Sequence, residues 1–564
     1  MNHSTIEPLE SRIAPASIIV NTLSDQIDSP GSHTISLRDA IAAANLSTHP
    51  TTILFKAGLT GEIALSSGAS YGEFLITHPV TIIGPGPGKL TISANSSDSR
   101  IFDLEASASI SGVSLIDGNG VGTNFDGSGG AIYSSHSLAL SNVVISGCTT
   151  TGGKGGGVYI KENSPGVTVS VKSCVISGNT SDFGTGGIEI YASKSIQILN
   201  SVISGNTGAS SSTDGGGLVA DISPTATGLS LSGDTIINNR GGNNTYGGGA
   251  DLGSNGAPIS LVNSTISGNT AGNRGGGLYL YQPTGKGIVS VTNTIVAGNN
   301  SGRYGGGIFA RGGTKMNFSG VTVAGNQSSA RGGGLYAEGN NSAVVTSVTG
   351  SHFVDNTASS NGGGIAINKN ASLVLNGSTV SDNHANGGGG GIYITSNGNL
   401  TITGGAISSN FTSGVGGGIY APFDGNVTIT GTTLGHNVCN APDGGGAILT
   451  NTSATVKLTG ITVTGNDAIG YNGGGVFINA SASTSKFDII GGHFSGNVAG
   501  DNGGGIEITG IGSGKISGAV ITGNIAVNAA GGLFNDLTTV SDLTLTGTTI
   551  AANTAAIAPN SLAI

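Results

Sequence analysis

The chain contains no tryptophan, three cysteines and only 9% charged residues, where about 25% is usual for a soluble globular domain. Each shortage excludes something. With 20 Lys and Arg against 30 Asp and Glu, a net charge of −10 and no basic run, the surface cannot neutralise a phosphate backbone, so nucleic acid is not an expected partner. Cys148, Cys174 and Cys439 are too few for a disulfide framework and lack the CxxC spacing of zinc or redox sites. They read as packed thiols. No apolar run reaches the roughly 18 residues of a membrane-spanning helix, so no transmembrane segment is expected. At the N-terminus, "ASIIV" from Ala16 is too short for a secretory h-region and no basic residue precedes Arg12, so an ordinary signal peptide is not expected either.

What the chain has instead is glycine, 104 of 564 residues, more than twice the usual share of about 7%. A mean hydropathy of +0.15 separates it from glycine-rich disordered tracts, which lack the apolar residues to build a core. Those apolar residues must be buried somewhere, and a repeat shows where. The Asn of "ISGN" or its equivalent recurs at Asn119, is replaced by Cys148, and returns at Asn179, Asn206, Asn239, Asn269, Asn299, Asn326, Asn356, Asn383, Asn410, Asn437, Asn466, Asn497, Asn524 and Asn553. The intervals run from 27 to 33 residues. A period of this size, held along most of a chain, marks a solenoid.

Inside one repeat, "NLTITGGAISSN" (Asn399 to Asn410) sets Leu400 and Ile402 on one face and Thr401 and Thr403 on the other. Alternation with period two predicts strand. The turns between such strands are too short for crossover helices, so the strands are expected to coil, each stacking on its equivalent one lap away at about 4.8 Å, to a length of roughly 75 Å. "GGGIY" at Gly416, "GGGLY" at Gly275 and Gly332 and "GGGIF" at Gly305 then read as sharp corners, where glycine accepts positive φ and close backbone approach. Asn is expected to take the next corner, tolerating the left-handed region and stacking its amide in a ladder.

The predicted fold is therefore all-β, a single-stranded parallel β-helix of about 16 turns of 27–33 residues over 51–564. "SLRDAIAAAN" predicts one short helix, with Ser36 as N-cap, Asp39 three residues on, and Leu37, Ile41 and Ala44 on one face. It lies in an N-terminal cap over 18–50 that covers the open end of the coil. Residues 1–17 are expected to be a disordered, sorting-like motif.

Three resemblances accompany these residues. The recurrent "GGGIY" and "SGN", with "FVDN" at Phe353 and "FSGN" at Phe494, resemble polymorphic outer membrane protein repeats, which implies a right-handed β-helix of a bacterial surface protein. "TIIGPGPGKLTIS" from Thr81 is similar to the opening coils of pectate-lyase-like β-helices, and "SLRDAIAAAN" to their caps. "LESRIAPAS" (Leu9 to Ser17) resembles the LEPR-XLL-type motif of planctomycete-like surface proteins, with Ser11 in place of its proline. Together they imply a secreted or cell-surface location in a bacterium. No series of membrane strands follows the repeats, so a barrel within this chain is not expected.

β-Helices serve both as enzymes and as passive rods, and the fold alone does not choose. The sequence predicts a non-catalytic adhesive or envelope-structural protein, with a polysaccharide lyase or glycosidase as the alternative. For chemistry, Asp355 and Asp382 precede the marker Asn in successive turns and could pair as acid and nucleophile on a glycoside, but that position is usually Gly, and Asp tolerates a left-handed turn. The NTD, DD and RIK strings of polygalacturonase-like enzymes are missing, as are HExxH, a P-loop and the RTX calcium repeat, so no metal site and no cofactor are expected. For binding, an aromatic column on the outer face joins basic residues just before three Gly runs. Arg274 goes with Tyr279, Arg303 with Phe309, and Arg331 with Tyr336. These six residues form an expected shallow groove for an acidic glycan or a partner protein.

Overall fold

The structure, a computed structural model, describes residues 17–563 apart from 30–31, 68–71, 95–96, 125–126, 163–164, 210–213, 283–286, 313–314, 340–343, 396–397, 423–424, 442–443, 454, 539–541 and 558–561. The LEPR-like stretch lies outside the described residues except for Ser17.

One lap shows how the repeat becomes a coil. After Gly362–Gly364, a front strand (Ile365–Asn368) leads to a second-wall strand (Ala371–Asn376) and then a short third-wall strand (Thr379–Ser381). Asn383 turns the last corner and the two residues His384–Ala385 lead to the next glycines. Residues 27 apart are in-register parallel neighbours on all three walls, Ile365 with Ile392, Leu373 with Leu400 and Thr379 with Ala406. The chain is an all-β parallel solenoid of about 16 turns. Among the described residues its second wall has 19 strands and begins earlier than the repeats, because Ser17–Val20 pairs with Thr52–Phe55.

The alternation decides what goes inside. Ile365, Ile367, Leu373, Leu375 and Val380 point inward and are buried, and their equivalents from Val20 to Leu537 form one continuous apolar core. Each fully buried aliphatic side chain contributes about 1.5–3 kcal/mol relative to exposure. Growth by identical layers therefore needs no second domain.

The Gly332–Gly334 triplet explains the glycine content. Gly332 has φ +66°, which L side chains rarely adopt. A Cβ on Gly333 would stand 2.4 Å from the carbonyl oxygen of Gly363, and one on Gly334 would stand 2.7 Å from that of Gly364. One glycine serves the turn and two serve the stacking. At the opposite corner the left-handed residue is the one before Asn rather than Asn itself. Gly325, Asp355, Asp382, Ser409, His436 and Gly465 all have φ between 55° and 62°. Freed from that role, the Asn side chain turns inward. Fourteen amides from Asn179 to Asn553 bond in one ladder, each Nδ2–H donating to the Oδ1 of the next turn. Cys148 only donates its backbone N–H to Asn179 at 3.0 Å, while Asn119 leaves the series to bond Asp98.

The helix spans Leu37–Asn45. Its capping box is closed by Ser36 Oγ accepting from the Asp39 N–H and an Asp39 carboxylate oxygen accepting from the Ser36 N–H, both at 3.0 Å. Leu37, Ala40, Ile41 and Ala44 are buried against the first strands, so apolar surface at the end of the coil is covered rather than left open.

Candidate functional site

Asp355 and Asp382 stand exposed in the left-handed turn, at φ 55° and 58°. Their column continues as Ser409, His436 and Gly465, so the backbone conformation accounts for the residue type there.

The six residues of the expected groove come together differently from a shallow groove. Tyr279, Phe309 and Tyr336 do stand on the outer face of the front wall, in register, but they are 5%, 0% and 2% exposed. The segment before each glycine triplet folds over them. Tyr246 stacks on Tyr279 at 4.9 Å and Tyr304 on Tyr336 at 4.8 Å, while Tyr279, Phe309 and Tyr336 stack on one another at 5.2 Å. A small second core results, outside the coil. Within the covering segment the order is Tyr246, Arg274, Tyr304, Arg331 by parallel bridges. Arg303 therefore stands beside this column, not in it. Arg274 lies over Tyr246 and Phe309 at 5.3 and 5.0 Å, Arg303 over Tyr304 at 5.0 Å, and Arg331 over Tyr393 at 5.6 Å. None of the three makes an ion pair among the described residues. Rings hold these cations in place, and no carboxylate among the described residues pairs with them.

A second feature lies at the N-terminal end of the aromatic column. There the outward positions of the front wall carry acids instead of rings. In one column Glu189, Val219, Asp251 and Tyr279 are successive neighbours; two residues along, the neighbours are Tyr191, Asp221, Gly253 and Tyr281. Gly253 leaves a gap in this second column, and a Cβ built on it would meet Asp221 Oδ1 at 3.1 Å. Over the gap opens a cleft of about 320 Å³, walled by Tyr191, Tyr246, Tyr279 and Tyr281, with Asp214, Asp221, Asp251 and Arg311 also lining it.

Charge is unevenly satisfied around this cleft. Lys154 Nζ pairs with Glu189 and Asp214, both at 2.8 Å, and sits 5.7 Å over the Tyr191 ring. Burial alone would depress the Lys154 pKa, but the two carboxylates outweigh it and keep the ammonium charged. Arg311, on the far side, pairs with Glu338 at 3.3 Å. Asp251 has neither a hydrogen bond nor an ion pair through its carboxyl among the described residues. Burial, and after it the charges of Asp214, Asp221 and Glu189, push it well above the usual carboxylate range. Burial also raises Asp221, against a hydrogen bond from the Ile222 N–H. Sequence reasoning missed these acids, although a signal existed: "GGIEI" at Glu189 and "GGADL" at Asp251 put a carboxyl where neighbouring repeats place Tyr or Phe.

A family model for the right handed beta helix region matches residues 235–407, a span that includes Asp251 and the aromatic stack. The match agrees with the parallel β-helix described above. A search of curated proteins returned no match.

Proposed function

We propose that this protein is a non-catalytic β-helix, secreted or displayed on a bacterial surface, with an adhesive or envelope-structural role, and that Arg274, Arg303 and Arg331 bind acidic glycans or an acidic patch on a partner protein. One observation carries the reading: three arginines in consecutive turns are fixed over aromatic rings with no carboxylate paired to them among the described residues. Guanidinium groups so placed repel one another unless an anion shares them. The buried rings act as a base that positions the cations, rather than as a platform for sugar. Replacing all three arginines with alanine is expected to weaken salt-sensitive binding to an acidic polysaccharide by about 100-fold, taking roughly 1 kcal/mol for each exposed contact, with little change in melting temperature. Retention of binding by the triple variant ends this reading.

The alternative, glycoside cleavage, has one observation in its favour. Asp251 and Asp221 come from adjacent turns and reach one cleft, with Asp251 held above the usual carboxylate range, as a general acid would be. Release of reducing ends from a neutral polysaccharide, lost in Asp251→Asn, would establish it; no release from a broad panel would dismiss it.

A further inference from the structure

We propose that the cleft over Gly253 binds a primary ammonium group carried on a sugar-sized body, with Asp251 and Asp221 meeting the charge and the surrounding tyrosines meeting the rest of the ligand. This goes beyond the arginine reading and does not depend on it.

The wall supplies its own precedent. Two turns before Asp251, beside Glu189 and Tyr191 of the same columns, the Lys154 ammonium sits between Glu189 and Asp214, each at 2.8 Å, and over the face of Tyr191 at 5.7 Å. That is an ammonium in a carboxylate and tyrosine setting. Asp251 neighbours Val219, one turn on from Glu189 in the same column, and Asp221 neighbours Tyr191. The lysine has no counterpart at the second position: where a side chain would project, Gly253 leaves open space of about 320 Å³, enough for a monosaccharide-sized ligand. Asp251 is unpaired there among the described residues, while Lys154 is paired with Glu189 and Asp214, and Arg311, which also lines the cleft, is paired with Glu338. An anion would face Asp221 and Asp251, with Arg311 and Lys154 already held by those carboxylates. A metal ion is disfavoured too, since no three His, Cys, Asp or Glu side chains among the described residues are grouped to hold one. An ammonium needs no such convergence, because aromatic faces within about 6 Å complete its environment. The raised affinity of Asp251 for a proton fits the same account, a cation being what this carboxyl lacks.

Calorimetric titration of the full chain with glucosamine, glucose and N-acetylglucosamine tests this, because the three share a ring and differ in charge. Saturable binding of glucosamine alone is expected, weakened about tenfold or more in Asp251→Asn. Gly253→Val, which fills the floor, should abolish it while the fold is retained by circular dichroism. The proposal is overturned if glucosamine does not bind, if glucose binds equally well, if calcium chloride at matched ionic strength displaces the amine, or if Asp251→Asn binds as the parent does. None of these probes has a glycosidic bond, so the outcome is separable from any cleavage activity.

Discussion

Replacing Asn356 with alanine is expected to destabilise the coil by about 3–5 kcal/mol, as for other interior members of the ladder. Asn356 is fully buried and its amide makes four hydrogen bonds. It donates to Val323 O at 2.9 Å and Asn383 Oδ1 at 3.0 Å, and accepts from the N–H of Asn326 at 3.0 Å and from Asn326 Nδ2 at 2.9 Å. Alanine removes all four and leaves the Asn326 N–H sealed in the core with nothing to bond. Each buried group so orphaned costs about 1–3 kcal/mol, and water cannot reach the gap. Aspartate at the same position should be no better, because it keeps the acceptor but sets a charge against Val323 O and Asn383 Oδ1. The terminal ladder member is a built-in comparison. Asn553 donates to Ile521 O and accepts from Asn524 but donates to no further amide among the described residues, so Asn553→Ala should cost less. Urea denaturation of both variants checks the order; equal midpoints for Asn356→Ala and the parent would show that the ladder contributes no net stability.

Changing Glu507 to glutamine should have the opposite sign. Glu507 lies in the outer column between Phe477 and Phe534, is 2% exposed and leaves Oε2 without a partner among the described residues. Burial, reinforced by Asp501 and opposed by the Gly473 N–H, pushes its carboxyl up to about 8. An unfolded glutamate titrates near 4.3. Between those two values the folded chain holds a proton that the unfolded chain has released, so stability falls as pH rises through this window and levels off above the folded value. The whole fall is about 3–5 kcal/mol at 1.36 kcal/mol per pH unit. Glutamine stays neutral, so the variant should match the parent near pH 4 and exceed it by that amount at pH 8.5. Asp234, raised to about 7 by burial against hydrogen bonds from the Ser201 and Ser232 N–H groups, acts in the same direction, so some pH dependence should remain. Identical unfolding curves for variant and parent at pH 8.5 would mean that Glu507 reaches solvent.

These two residues also mark how far the sequence could be read. Asn356 is one of an evenly spaced series, and spacing alone pointed to a ladder. Its neighbour Asp355 belongs to the same spacing, and the left-handed turn accounts for it as it does for Gly325 and Gly465. Glu507, Glu189 and Asp251 depart from an aromatic column that the sequence places on the outer face, and the sequence reading passes over them because an outward position reads as exposed. Nothing in the alternation of Ile506, Glu507 and Ile508 says whether a loop lies over the outward residue. For Tyr279 and Tyr336 the answer comes from Tyr246 and Tyr304, each one turn away along the chain.

By itself the sequence determined the period, the inward faces and the corners, because each is a local rule repeated: alternation chooses the buried side, and glycine and asparagine mark where the backbone must turn. Tertiary structure alone decided which outward side chains are covered, that Tyr304 rather than Arg303 continues the column from Arg274 to Arg331, and that Asp221 and Asp251 share a cleft. Those outcomes depend on loops of unequal length meeting the wall of a neighbouring turn, and a loop that varies from lap to lap carries no periodic signature.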